Sequence, residues 1–420
     1  MNSNSTVITE VKEKAVSSNV LLAEKIFTVT VLFISTYALI PLLRNNVMAF
    51  DPVKGDIIIQ LFWAAIYILT FLLLLKRLRL DAQTVFLDKM VWFLVGLAFV
   101  SIVWSDAPLV TLRRSTALIG ATAFGIYLAT RYTNQELLKI LLWTLGLCAA
   151  LSIGFVFFLP SYGIHTIPYQ AWRGVYLNRN SLGCYMTLAV IGWLLYSLNN
   201  SRVRIVGFAF CILSLFLLIS SRSVTALVVL FLLLLLLFIC YMVYKHKKLV
   251  IVFIILTVGV SFFWLIKNID FVLNVLGRDI TLSGRTVLWQ AVWDMVMRRP
   301  LLGYGYSAFW LGWNGPSGDI WNMLSTKVPY AHNGYLDLWL QLGLAGLVIF
   351  LLSFFTCLFK AYRLVLKNGL EDMFPFLFFF FMLVYNVTES FILVQNSILW
   401  ILYVAFSFQL RIDNQKNKPG

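Results

Sequence analysis

Histidine is scarce in this chain, and one of its three copies stands where a proton could usefully be moved. His332 lies in "KVPYAHNGYLDLWLQLGLAG", directly ahead of Asn333-Gly334 and of an apolar helix that the pattern starts near Tyr335. An imidazole titrates near neutral pH, so it suits a general base or a proton shuttle. Arg222, in "LLISSRSVTALVVL", falls between two apolar runs with almost no loop, flanked by Ser220, Ser221, Ser223 and Thr225. A charge at that depth is costly and usually faces a cavity or a partner. The plain alternative is an arginine that snorkels to water at a tight turn. Arg173, in "YQAWRGVYLNRNSLGCYM", precedes a helix that opens near Asn180. There Asn178, Arg179, Asn180 and Ser181 could cap the first turn and offer donors to an anion. Arg285 opens an amphipathic helix where an acid is the usual choice. A bound anion sharing the site would account for it, and a solvated arginine is the alternative. The planar guanidinium fork binds phosphate bidentately, so these arginines suit a phosphate-bearing substrate.

Carboxylates are fewer. Glu389, in "YNVTESFILVQN", sits at a helix break, where it could pair with an arginine or bind an acceptor hydroxyl. Asp106, in "WSDAPLVTLRRS", is expected to cap a turn or pair with Arg113 or Arg114. His165 and His246 have no partner pattern and read as ordinary loop residues.

The elements that must position these groups are membrane helices. The chain is 61% hydrophobic and 12% charged, against about 25% charged residues in an ordinary soluble domain. Apolar runs of spanning length recur throughout, and about 20 apolar residues cross a bilayer. Twelve spans are expected: 24–43, 57–75, 87–104, 114–131, 138–159, 180–198, 204–220, 224–244, 248–267, 334–359, 373–388 and 391–410. With the N-terminus inside, 20 of the 33 Lys and Arg fall on cytoplasmic segments, as the positive-inside rule requires. Both termini are then cytoplasmic. The outer basic residues are mostly arginines, which needs a reason where the rule selects against them.

The fold class expected is an all-α polytopic bundle of about twelve helices. It comprises a disordered cytoplasmic tail (1–20, with no cleavable signal core), a first bundle part (21–267), a large outer loop (268–333), a second bundle part (334–410) and a short tail (411–420). Inside the loop, Trp289, Val292, Trp293 and Val296 recur at helical spacing and predict an amphipathic helix. Ser283 is its expected N-cap, Pro300 its stop, and Gly303 and Gly305 the turns beyond. All five cysteines lie in apolar runs and read as buried thiols.

The net charge of +15 is scattered between apolar segments, so topology and anionic lipid explain it better than nucleic acid. No Asp-x-Asp motif, phosphate-binding Gly-x-x-x-x-Gly-Lys loop or zinc spacing is present. Outside the cell membrane nucleotides are scarce, so a phosphate-bearing substrate there would be lipid-linked.

Six stretches carry a family resemblance: "WSDAPLVTLRRSTALIGATAFGIYLATRY", "RGVYLNRNSLG", "SRSVTAL", "SGRTVLWQAVWDMVMRRPLLGYGYSAF", "AHNGYLDLWLQLGLAGL" and "NVTESFILVQN". In this order, across about residues 25–410, they resemble the O-antigen ligase and exopolysaccharide polymerase superfamily of bacterial inner-membrane proteins. The resemblance implies about twelve helices, a large periplasmic loop and metal-independent inverting glycosyl transfer without a cofactor. It implies an undecaprenyl-diphosphate-linked glycan donor. The acceptor would be another lipid-linked unit in a polymerase and lipid A–core in a ligase. It also implies diphosphate binding by Arg173, Arg222 and Arg285 and acceptor activation by His332. Asn333, Asn178 and Glu389 are candidate acceptor-binding or supporting residues. The partners expected are these substrates, the bilayer and other polysaccharide-export components, with no nucleic acid. A polymerase is the leading reading and a ligase the second. A transporter of a lipid-linked anionic glycan, using the same arginines without His332 chemistry, is a third.

Overall fold

The computed structural model describes residues 21–43, 55–78, 87–166, 170–245 and 284–416. The expected span 248–267, the tail 1–20 and Ser283 lie outside the described residues. Within them the chain is mostly helical. The helices are α1 (21–35), α2 (Ile40–Leu43), α3 (Ile57–Leu78), α4 (Lys89–Val100), α5 (Pro108–Arg131), α6 (Asn134–Phe158) and α7 (Pro160–Gly163). They continue with α8 (Arg179–Asn199), α9 (Arg204–Ser220), α10 (Val224–Tyr244), α11 (Arg285–Arg298), α12 (Ser317–Leu324), α13 (Gly334–Asn368), α14 (Met373–Tyr385) and α15 (Ile398–Lys416). A two-residue antiparallel ladder, Ile164–His165 on Ala171–Trp172, folds the loop ahead of α8.

Capping chemistry starts several of these helices. Asp88 accepts from Val91 N at α4, and Thr133 and Glu136 form a reciprocal capping box at α6. Asn178 and Asn333 cap α8 and α13. The cap expected at α11 is different: Gly284 holds that position with φ of 82° and no side-chain bond.

Six stretches among the described residues are long and apolar enough to cross a membrane: Ile57–Lys76, Asn134–Phe158, Arg179–Asn199, Ser201–Ser220, Val224–Tyr244 and Gly334–Tyr385. The last takes α13 and α14 together. Lys89–Val103 and Ile398–Ile412 are shorter apolar helices. The expected span 24–43 is not continuous. A turn over 36–39 divides it, with Tyr37 and Leu39 at positive φ and the Tyr37 hydroxyl donating to the Gln395 carbonyl at 2.6 Å. The final span begins at Ile398 instead of 391, because 386–397 is irregular.

The core lies around α15, which is buried on every side from 398 to 410. A helix apolar all round must be surrounded by others. It meets α5 at Gly125, where a Cβ would come within 2.9 Å of the Ile401 carbonyl. Small residues of this kind let membrane helices approach closely. On α3, α9 and α10, by contrast, Ile57, Ile205 and Phe231 are exposed, a face suited to lipid.

The longest helix is two helices spliced end to end. Gly343, inside α13, has φ of 64° and ψ of −169°. In a continuous helix Leu344 N–H would donate to Leu340 O and Ala345 N–H to Gln341 O. Instead residues 300–305 insert there. Leu344 N and Ala345 N donate to the carbonyls of Pro300 (2.8 Å) and Leu301 (3.3 Å). Tyr304 N and Gly305 N donate to the freed carbonyls of Leu340 (2.8 Å) and Gln341 (3.0 Å). Two bonds are exchanged for four, so these donors and acceptors at the break are all satisfied, as a low-dielectric setting demands. Only glycine fits at 343, since a Cβ would lie 2.1 Å from the Leu301 carbonyl oxygen.

The amphipathic helix expected over 285–298 forms, but its buried face is rotated. Leu288, Ala291, Val292, Met295 and Val296 are buried, whereas Trp293 is exposed. The buried face makes a small second core with Tyr304, Phe309, Ile320, Ala331 and Leu340. Trp293 stands edge-on to Trp339, and the Trp289 indole donates to the Ala331 carbonyl at 2.9 Å. Trp289 thus keeps a bonded polar tip and Trp293 a partly wet edge, the roles amphipathic aromatics fill best.

Candidate active site

Glu389 is the meeting point of the predicted site residues. It lies in the irregular link 386–397 and is 2% exposed. A buried carboxylate must be paired or hydrogen-bonded to persist. Its Oε1 accepts from Asn180 Nδ2 at 2.8 Å and from Arg285 Nη2 at 3.0 Å. Its Oε2 lies 3.6 Å from His332 Nδ1. That distance is too long for a hydrogen bond, but it leaves the carboxylate beside the ring, where it would attract the imidazolium form. His332 holds a left-handed backbone, φ of 50°, which is unusual for a residue with a side chain. Its ring packs on Tyr330 with centroids 4.4 Å apart. Burial, with the charge of Glu389 added, pushes the Tyr330 hydroxyl above its ordinary pKa. With Nδ1 turned toward the carboxylate, the other ring nitrogen, Nε2, is outside that contact.

A network of neutral donors fixes the two loops that carry this pair. Asn333 Oδ1 accepts from the amides of Tyr335 and Leu336 and so starts α13. Gly334 N donates to the carbonyls of Asn386 (2.8 Å) and Glu389 (2.9 Å). Asp337, in the first turn of α13, is 4% exposed. It accepts from Trp310 Nε1 (2.7 Å), from Ala331 N (2.9 Å) and from the Ser390 hydroxyl. Ser390 Oγ in turn accepts from Asn333 N at 3.1 Å. The neighbours of His332 on both sides are therefore tied to the neighbour of Glu389.

The remaining predicted residues surround this cluster without joining it directly. Asn178 caps α8 by accepting from Ser181 N at 2.8 Å, which sets the turn that presents Asn180. The anion served by that helix start is thus, in part, the protein's own Glu389. Arg222 sits at the turn between α9 and α10, exposed and with φ of 50°. Its carbonyl accepts from Arg179 Nη1 at 3.3 Å, and Thr225 pairs with Thr388 at 3.3 Å. Gly183 permits the approach, for a Cβ there would lie 2.8 Å from Ala226 and 2.9 Å from Ser223. Among the described residues no side chain pairs with the Arg222 guanidinium. Arg173 is differently placed. Its guanidinium donates to the carbonyls of Tyr162 (2.7 Å), Ser161 (3.0 Å) and Leu177 (3.4 Å). Burial pulls its pKa below the ordinary arginine value. No hydrogen bond or ion pair joins it to Arg222, Arg285, His332 or Glu389.

Two likenesses to known proteins bear on the chain as a whole. Residues 208–351 match a family model described as O-Antigen ligase. The exopolysaccharide production protein ExoQ of Rhizobium meliloti (strain 1021) is 24% identical over 286 residues. Over these residues the chain is similar to the O-antigen ligase family and to an exopolysaccharide production protein. The match to the Rhizobium protein covers 64% of this chain and 64% of that relative, so it falls short of two thirds of the relative's length. The superfamily model includes Arg222, Arg285, His332 and Asn333, and leaves Arg173, Asn178 and Glu389 outside its limits.

Three participants do not stand out in the sequence for these roles. Asp337 and Ser390 carry no signal beyond their type, and the sequence offers Asn180 only as a cap or anion donor. Asp106, expected to cap a turn or to pair with Arg113 or Arg114, instead pairs with Arg299 at 2.5 Å. The reason is the insertion of 300–305, which brings Arg299 alongside the turn before α5; Trp104 Nε1 also donates to the Leu302 carbonyl there.

Proposed function

We propose that this protein is a membrane glycosyltransferase that moves a glycan from undecaprenyl diphosphate to a sugar hydroxyl at the periplasmic face, as a polysaccharide polymerase. The observation that carries the reading is the Arg285–Glu389–His332 cluster beside the exposed Arg222 turn. In this mechanism the acceptor hydroxyl gives its proton to His332 Nε2. The acceptor oxygen bonds to the anomeric carbon as the bond from that carbon to the phosphate oxygen breaks. The electron pair leaves with the diphosphate, and attack from the opposite face inverts the centre. Arg222, together with the donors of Arg285 not spent on Glu389, takes up the charge that grows on the leaving group. Glu389 steadies the imidazolium as it forms. Arg173 is assigned a supporting part in diphosphate binding through the loop it braces. Guanidinium charge serves in place of a metal.

In the same reading the chain spans the inner membrane twelve times, with both termini in the cytoplasm and 268–333 outside. Cysteine-accessibility labelling of the loop and tails tests that topology.

The test of the chemistry is His332→Ala in cells lacking their own copy. Loss of the polymer supports the reading, and normal chain length with normal attachment rejects it. The description of the matched family favours a second reading, ligation to lipid A–core. Single repeat units accumulating in a deletion strain identify a polymerase, and long chains held on the lipid carrier identify a ligase.

A further inference from the structure

The end of α13 farthest from His332 carries a groove of about 620 Å³. Such a volume lies within the range of ligand sites. Its lining changes character along one stripe of the helix. Leu352, Phe355, Thr356 and Phe359 come first, and Lys360, Arg363 and Lys367 follow. These positions share a face at three- and four-residue steps. The apolar members are exposed, Leu352 at 55%, Phe355 at 51% and Phe359 at 55%. Among the described residues no carboxylate lines the groove.

Two of the basic residues lack a counter-charge of their own. Among the described residues neither Lys360 nor Arg363 makes an ion pair or a hydrogen bond. Arg363 lies over the Phe359 ring at 4.7 Å. The acid whose charge reaches Lys360, Asp88, is fully buried and committed elsewhere. It forms an ion pair with Arg411 at 2.7 Å, accepts from the Ser407 hydroxyl and caps α4. Cations commonly collect at a helix C-terminus, but that effect fades within the last turn. Lys360 lies well before the last turn of this helix, which ends at Asn368.

We propose that this groove binds one anionic phospholipid of the leaflet opposite His332. Its phosphate sits between Lys360 and Arg363, with Lys367 at the rim, and an acyl chain lies along Phe359, Phe355 and Leu352. The stripe from Leu352 to Lys367 rises roughly 22 Å, close to one leaflet with its headgroup. The arginine fork suits a phosphate, and basic clusters at a membrane end recruit anionic lipid.

The experiment is native mass spectrometry of the purified full-length protein with phosphatidylglycerol and phosphatidylcholine of equal chain length. The wild type retains phosphatidylglycerol selectively. Removing both charges with K360Q/R363Q reduces that preference about thirty-fold, the effect of two cations on anionic lipid. Thr356→Trp, which fills the groove and keeps both charges, also displaces the lipid. Equal retention of the two lipids by the wild type, or unchanged preference in both variants, overturns the proposal. Displacement of the lipid by excess inorganic phosphate also overturns it, by assigning the site to a free anion.

Discussion

Arg285 and Glu389 are 104 positions apart in the chain and meet at 3.0 Å, with the carboxylate 2% exposed. Removing one member of a buried pair leaves the other charge uncompensated, at a cost of about 3–5 kcal/mol. R285A is therefore expected to destabilise strongly, and E389Q added to it to restore much of the loss. Thermal unfolding of the two single variants and the double variant measures the coupling. Additive effects would mean that the pair does not hold α11 to the link after α14.

Asp337 holds the frame behind His332. In D337N the amide nitrogen cannot accept from Ala331 N or from the Ser390 hydroxyl. About 1–3 kcal/mol of stability is lost for an unmet buried donor. Turnover of the lipid-linked donor is expected to fall with little change in donor affinity, because Asp337 acts through His332. A variant that binds donor poorly and turns over normally contradicts that role.

Arg173 and Arg222 separate by experiment. Arg173 spends its donors on three carbonyls, so R173A is expected to lower stability by about 1.5–3 kcal/mol, the range for bonds to a charged group. Arg222 braces nothing through its guanidinium. R222A should therefore keep the wild-type unfolding midpoint and lose donor binding. The reverse pattern would exchange their roles.

Gly343 offers a backbone test. G343A forces a Cβ against the Leu301 carbonyl and demands a strained φ, a cost of at least about 1–3 kcal/mol. Gly96, in mid-helix with nothing within 4 Å of the place a Cβ would take, is the control. G96A is expected to be neutral or to gain up to about 1 kcal/mol. Urea titration of both variants in the same detergent decides.

How much the sequence makes legible follows from what each signal depends on. Helix type is readable because long Leu, Ile and Phe runs leave few alternatives. His332 stands out by its rarity ahead of a helix, Arg285 as a cation where a helix start favours an acid, and Glu389 as a carboxylate at a helix break. Their convergence is not readable, since it joins α8, α11, the start of α13 and the link after α14. The break at Gly343 is hidden in "LQLGLAGL", where hydropathy stays high and the signal for a splice lies some forty residues upstream in 300–305. The rotation of α11 escapes the pattern because a tryptophan scores as apolar even when its ring serves as an edge. Asp337 is invisible for the opposite reason: an acid in a first turn looks like ordinary dipole compensation.

The splice at Gly343 also has a direction in time. Residues 300–305 are synthesised before 340–345, so the donors and acceptors that close the break exist before the break itself emerges. The second half of the helix therefore emerges after its bonding partners, and the bonds to 300–305 fix its register.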